Sequence, residues 1–329
     1  MTPALTTRAA VVEAARLSIA QGSKSFAAAS KLFDPATRER AWLLYAWCRR
    51  CDDIADGQDH GHGMTQVADP HARLAAMRAM TDAALRGEVV GDPAFDALRI
   101  VAGECRIPAA WAHDLLDGFA LDADGWRPRT ADDLYRYCYH VAGAVGLMMA
   151  VVMGVPPDDD ATLDRACDLG LAFQLANIAR DLMEDASAGR CYLPTDWLTE
   201  AGIASGALLV PESRSALAGL GARLATQAEL YEASARGGAA ALPFRSAWAV
   251  LAAAGIYGDI ARAVRARGVT ALDERVTTSK AAKLGWIARS LEQTAGRGRY
   301  VGEGRPAGLW TRPRLQNPLP LLRERERRA

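Results

Sequence analysis

Gln174-Leu-Ala-Asn-Ile-Ala-Arg-Asp-Leu-Met-Glu-Asp185 holds no glycine or proline. Written on a helix, Gln174, Asn177, Asp181 and Asp185 fall at i, i+3, i+7 and i+11 on one stripe, about 16 Å long at about 1.5 Å per residue. Leu171, Leu175, Ile178 and Leu182 take the other faces. Tyr45-Ala-Trp-Cys-Arg-Arg-Cys-Asp-Asp-Ile-Ala-Asp56 repeats the arrangement with Tyr45, Arg49, Asp52 and Asp56 on the stripe and Leu43, Leu44, Trp47 and Ile54 around it. An ordinary surface helix is apolar on one stripe only. These two are polar on one stripe only, which describes buried helices whose polar stripes face a shared cavity.

Each stripe puts two aspartates one turn apart, an arrangement that costs about 0.2–0.5 kcal/mol on an exposed helix and more when partly buried. A cation between them relieves it. Oxygen ligands without His or Cys select a hard cation, and Mg²⁺ takes one or two carboxylates together with phosphate oxygens of a substrate. Taken singly, an Asp-x-x-x-Asp is as readily a solvated or salt-bridged face; the pair of matched stripes carries the argument. Arg49, Arg180 and Arg190 stand beside the carboxylates and can take further phosphate oxygens, with hydroxyls of Ser23 and Ser25 as additional donors. The chemistry implied is metal-assisted departure of diphosphate. It leaves a carbocation that needs a dry, aromatic pocket, for which Phe26, Tyr45, Tyr137, Phe173 and Tyr257 are candidates.

The rest of the chain supports an all-α fold. Alanine dominates, no alternating strands are found, and helices are expected at 7–21, 35–56, 71–86, 93–103, 108–121, 132–154, 159–185, 213–235, 243–267 and 278–293. Ser23-Lys-Ser25 and Asp122-Ala-Asp-Gly-Trp126 read as turns. Residues 57–70 read as a solvent loop, whose His60 and His62, with His71 beyond, lack fixed metal spacing. Domain organisation follows as one helical domain over 1–295 and a basic, disordered tail over 296–329. Lys+Arg and Asp+Glu balance at 39 each, which gives no reason to expect nucleic acid. The six cysteines are scattered and read as reduced thiols of a cytoplasmic protein; Cys48-x-x-Cys51 lacks the second pair of a zinc site. Val141–Pro157 is too short to span a bilayer. Gly296-x-Gly298-x-x-x-Gly302 follows no strand and is no dinucleotide fingerprint.

Gly22-Ser-Lys-Ser-Phe26, Tyr45–Asp56, Tyr137-Cys-Tyr-His-Val-Ala-Gly143, Gln174–Asp185 and Gly189-Arg-Cys-Tyr-Leu-Pro194 together resemble the squalene and phytoene synthase family, and within it the bacterial phytoene synthases of carotenoid pathways. The resemblance covers about residues 10–295. It implies a type I isoprenoid synthase bundle around a central cavity and the head-to-head condensation of two geranylgeranyl diphosphates, through prephytoene diphosphate, to phytoene. By the same resemblance Asp52, Asp56, Asn177, Asp181 and Asp185 would bind Mg²⁺, or Mn²⁺ in its place. Ser23, Ser25, Arg49, Arg180 and Arg190 would hold diphosphate, and Phe26, Tyr45, Tyr137, Gln174 and Tyr257 would line the cavity. Lys280 is a further substrate-binding candidate, a solvated surface position being the plainer reading of it. No nicotinamide is expected. Some relatives that make thirty-carbon products carry His where this chain has Gly22, so no proton transfer is assigned there. The alternatives are a squalene-type or dehydrosqualene synthase acting on farnesyl diphosphate, and a non-catalytic helical assembly factor. Substrates of this kind live in membranes, so peripheral membrane association and contact with neighbouring carotenoid-pathway enzymes are expected.

Overall fold

The computed structural model describes residues 7–57, 69–204 and 206–315, and every regular element among them is a helix. His60 and His62 lie outside the described residues, as does the chain beyond 315. The elements are α1 (Arg8–Gly22), α2 (Lys24–Ser30), α3 (Pro35–Asp56), α4 (Pro70–Leu85), α5 (Pro93–Cys105), α6 (Ala109–Ala123), α7 (Ala131–Cys138) and α8 (Ala144–Val152). Then follow α9 (Asp160–Ser187), α10 (Thr195–Glu200), α11 (Arg214–Arg236), α12 (Phe244–Arg267) and α13 (Lys280–Ala295).

Local chemistry sets the ends of the helix that carries the first stripe. Asp34 accepts hydrogen bonds from the backbone N–H of Ala36 and Thr37, Pro35 opens the first turn, and Gly57 closes α3 in the left-handed conformation at φ 62°. Proline costs nothing where the N–H has no helical partner, and glycine alone enters φ > 0 without strain. Ser23, expected in a turn, instead caps α2 by accepting from the Phe26 N–H at 3.2 Å.

The long α9 runs through the middle, packed against α8, α11 and α12. Leu163, Leu171 and Leu175 on it are fully buried, as are Leu43, Leu44 and Trp47 on α3. Each such aliphatic side chain contributes about 1.5–3 kcal/mol relative to exposure. Two glycines bring α9 into backbone contact with its neighbour. A Cβ on Gly146 would stand 2.4 Å from the Ala166 carbonyl oxygen, and one on Gly170 would stand 2.5 Å from that of Ala142.

Three features depart from the sequence reading. The helix expected over 132–154 is interrupted by a π-helical turn, Tyr139–Gly143, between α7 and α8. A residue is accommodated there beyond the α-helical period, at the place where Ala142 and Gly143 meet Gly170. Helices α2 and α10 form where none was expected. The third concerns residues 296–315, whose Arg, Gly and Pro content reads as disorder. They are ordered against α9 and α11 because their arginines find carboxylate partners along α9, from the exposed Asp160 through the half-buried Asp164 to the buried Asp168. Arg305 grips the fully buried Asp168 at 2.6 and 2.9 Å, Arg312 reaches Asp160 at 2.5 Å, and Arg314 reaches Asp164 at 2.6 Å. Trp310 packs on Tyr139 and donates its indole N–H to Asp132 at 3.0 Å.

Helix α12 and its continuation, Phe244–Leu272, are long and apolar enough to cross a membrane, yet 61% of the apolar window is buried in the protein. It is placed as a core helix.

The close approach at Gly170 yields a stability expectation. Gly170→Ala should lower unfolding free energy by about 1–3 kcal/mol, because a methyl group there meets backbone that cannot swing away. Urea denaturation with an unchanged slope and a lower midpoint measures it.

Candidate active site

Helices α3, α6, α8, α9 and α12 surround a cavity of about 560 Å³. Both sequence stripes open onto it in full: Tyr45, Arg49, Asp52 and Asp56 from α3, and Gln174, Asn177, Asp181 and Asp185 from α9. Arg180, Arg190, Phe26, Tyr137, Phe173 and Tyr257 also line it. The acidic residues gather at one end. The remaining wall is largely apolar, with Val141, Ala142, Val145, Gly146 and Met149 supplying small and flexible side chains.

The carboxylates are held apart by arginines. Arg49 donates to Asp52 at 2.5 Å, Arg190 of the α9–α10 connection donates to Asp56 on α3 at 2.5 Å, and Arg180 donates to Asp181 at 2.7 Å through Nε. Arg275 adds a two-pronged contact to Asp181 at 2.9 and 3.1 Å. These ion pairs do not relieve every acid. Burial, and next the charge of Asp181, push the Asp185 carboxyl up to about 7. Burial pushes Asp52 up to about 6 against the opposing pull of Arg49. Burial also acts on Asp181, but its hydrogen bonds to Arg180 and Arg275 prevail and hold it below the ordinary carboxylate range. For Asp52 and Asp185 burial thus outweighs the nearby arginines, leaving carboxyls that a bound cation would favour as anions.

Two polar atoms tell the same story from the other side. Tyr45 Oη and Arg49 Nε are buried without a well-formed hydrogen bond. Both face the space left by Gly22, where a Cβ would stand 2.5 Å from Tyr45 Oη and 3.5 Å from Arg49 Nε. Buried donors without partners cost about 1–3 kcal/mol each, a cost that an anionic oxygen ligand removes. An all-oxygen set of four aspartates and Asn177, together with unsatisfied donors beside it, fits hard divalent cations and a polyoxyanion.

The aromatic wall is continuous. Phe173 stacks on Tyr257 with centroids 4.2 Å apart, Tyr257 on Phe26 at 5.6 Å, and Phe26 meets Tyr45 at 6.2 Å. Tyr137 stacks on Tyr192 at 4.8 Å.

A sequence model of the squalene/phytoene synthase family matches residues 19–282. The chain belongs to that family. It is 51% identical over 297 residues to a 15-cis-phytoene synthase of a Paracoccus species, covering 90% of this chain and 95% of the relative. It is 48% identical to the 15-cis-phytoene synthase of Pantoea ananas, covering 90% and 96%. A crystal structure of a dehydrosqualene synthase in complex with ligand superposes with a TM-score of 0.77 at 29% identity, covering 87% of this chain and 97% of that one. The fold class read from the sequence and the family agree.

Two candidates from the sequence fall elsewhere. Lys280 is exposed at the start of α13 and does not line the cavity. Ser23 serves as the cap of α2 rather than as a cavity donor. Ser25 is in α2, its side chain outside the described part of the structure. Cys48 and Cys51 are free thiols, and burial pushes Cys48 up to about 12, the opposite of a reactive thiolate.

Three residues of the site escaped the sequence reading. Asp122, part of a turn by its sequence, lines the cavity and accepts hydrogen bonds from Tyr137 at 3.0 Å and Tyr192 at 3.0 Å, its carboxyl pushed up to about 6 by burial. A signal existed: Leu115, Phe119 and Asp122 lie at i, i+4 and i+7 on α6, and all three line the cavity. Tyr192 sits in Gly189–Pro194, where only Arg190 drew notice. Arg275 stands alone between two helices, and no local pattern announces it. A separate group, Asp114, Asp117 and His140, brings possible ligand atoms within 4.8 Å of one another. It is internally satisfied: Tyr139 donates to Asp114 at 2.5 Å, Arg78 to Asp117 at 2.6 Å, and His140 Nδ1 bonds the Asp114 carbonyl at 2.9 Å.

The raised carboxyls of Asp52 and Asp185 have a sign that can be measured. A folded pKa above the unfolded value gives stability that is full below about pH 4, and lost as pH rises through about 6 and 7. Metal-free protein should therefore melt at a lower temperature at pH 8 than at pH 5.5. Added Mg²⁺ should raise the melting temperature more at pH 8, since only the ionised carboxylates bind it. Scanning calorimetry at the two pH values, with and without Mg²⁺, checks this.

Proposed function

We propose that this chain is a phytoene synthase, condensing two geranylgeranyl diphosphates head to head into phytoene with release of both diphosphates. The observation that carries the reading is the meeting of both acidic stripes at one end of a cavity whose remaining wall is apolar and aromatic. The relatives at about half identity, named 15-cis-phytoene synthase, support the product class.

In this reading Asp52, Asp56, Asn177, Asp181 and Asp185 would hold Mg²⁺, which would supply positive charge to stabilise departing diphosphate. Arg49, Arg180 and Arg190 take phosphate oxygens left over, each being already placed beside a carboxylate. Tyr45 and Arg49, whose Oη and Nε meet beside Gly22 without a well-formed hydrogen bond, border the same end of the cavity. Once diphosphate leaves, the allylic cation is attacked by the double bond of the second substrate, and loss of a first proton from the resulting cation closes the cyclopropyl ring of the intermediate. That intermediate ionises at the same acidic end. The stacked faces of Phe173, Tyr257 and Phe26 stabilise positive charge along the apolar wall. Their packing also excludes the water that would quench the cation. Loss of a proton completes the reaction without a reductant. Long prenyl chains partition into bilayers, so the protein works at a membrane surface.

Incubation of the purified chain with Mg²⁺ and labelled geranylgeranyl diphosphate should give phytoene. Turnover of farnesyl diphosphate alone would overturn this reading in favour of a thirty-carbon synthase. Asp52→Asn and Asp181→Asn should each lower kcat at least about a hundredfold, the scale on which removal of one group stabilising transition-state charge acts. Variants as fast as the parent would remove the acidic stripes from the mechanism.

A further inference from the structure

We infer that the segment 303–314 is the outer wall of the far end of the cavity, and that through Arg165 it sets the longest prenyl chain the cavity accepts. The inference rests on the reading of the cavity as a prenyl diphosphate site and deepens it.

Arg165 lines the cavity and is 7% exposed. It lies on α9 sixteen residues before Asp181, so at about 1.5 Å per residue the two are about 24 Å apart along one helix. One marks the end where diphosphate leaves, the other the end where chain tails arrive. A buried arginine is an odd floor for an apolar tunnel unless its charge is turned away. It is turned away here. Nη1 donates to the carbonyl and the hydroxyl oxygen of Ser234, each at 2.9 Å, and Nη2 donates to the Glu303 carbonyl oxygen at 2.7 Å. The methylene stem is what remains to face the cavity. Gly238 allows the stem to lie flat, since a Cβ there would stand 2.8 Å from Arg165 Cβ.

The same contacts close a circuit. Ser234 donates its hydroxyl to Asp168 at 2.5 Å, and Asp168 is gripped by Arg305, two residues beyond Glu303. Arg305 in turn donates to the Trp310 carbonyl at 2.7 Å, fixing the bend of the segment, while the Trp310 N–H donates to Tyr231 at 3.1 Å. The position of the Arg165 stem therefore depends on a segment outside the family match, which ends at residue 282. Length discrimination in an apolar pocket depends on such a stop, because each added methylene then meets a wall instead of open space.

The test uses the full chain with Mg²⁺ and compares farnesyl, geranylgeranyl and geranylfarnesyl diphosphates. Arg165→Ala should raise kcat/KM for geranylfarnesyl relative to geranylgeranyl diphosphate by about tenfold or more. Arg305→Gln, which loosens the segment without touching the cavity, should move the same ratio in the same direction by less. The ratio of farnesyl to geranylgeranyl diphosphate should stay near that of the parent, which a general loss of structure would not produce. An unchanged geranylfarnesyl ratio in folded variants overturns the inference. Should Arg165→Ala fail to fold, Arg305→Gln decides by the same ratio. If the parent makes hydrocarbon from none of the three, the functional reading fails. The inference then stands or falls on calorimetric affinities of unreactive thiolodiphosphate analogues of the three lengths, whose ranking the variants should shift toward the longest.

Discussion

Negative charge held inside the protein is the constraint on which this structure depends. Four aspartates on α3 and α9 and a fifth, Asp122, on α6 open onto one end of a single cavity. Carboxylates so placed repel, and burial makes the repulsion worse. The fold answers with arginines drawn from several elements: Arg49 on α3, Arg180 on α9, Arg190 after it, and Arg275 before α13. The answer is incomplete, as the raised carboxyls of Asp52, Asp122 and Asp185 record. Helices bearing so much uncompensated charge are held by their other faces, where Trp47, Leu171 and Leu175 are fully buried. Packing energy keeps in place an arrangement that electrostatics alone would push apart, and the resulting deficit of positive charge is what a ligand can use.

The other end of α9 offers a natural control. Asp160, Asp164 and Asp168 repeat the four-residue spacing of Asp181 and Asp185, yet each meets an arginine of the segment that follows residue 303. The spacing is the same and the outcome opposite. One ladder is closed by the protein's own cations and serves cohesion; the other is left partly open beside an apolar chamber. The distinction lies in what the chain brings to the ladder from elsewhere, which no local motif contains.

That difference explains what could be read from the sequence. Stripes at helical spacing place residues relative to one another without knowledge of the fold, so Tyr45 to Asp56 and Gln174 to Asp185 could be assigned to two faces before any coordinates. Arg275 could not, because its contact with Asp181 joins positions 94 apart. Asp122 lay in plain view at the end of an apolar helix, but its neighbour glycine drew the reading toward a turn. Composition misled over 296–315: abundant Arg and Gly describe a solvated tail only when the arginines have nowhere to go, and here the first ladder of α9 receives them. Lys280 shows the converse, a charged residue that can be offered as a substrate contact on charge alone and that geometry leaves in solvent.

The π-helical turn at Tyr139–Gly143 acts as a phase adjuster. Tyr137, Val141, Val145, Met149 and Met153 all line the cavity, a run with a strict period of four. On an unbroken α-helix with about 3.6 residues per turn, such a run would wander by about 160° between its first and last members. The wide turn absorbs part of that drift and keeps the wall in line. Removal of a single residue there would preserve composition, helicity and nearly every local preference, yet rotate the whole of α8 by about 100° relative to α7. The shape of the chamber is thus encoded in the count of residues within one turn as much as in their identities.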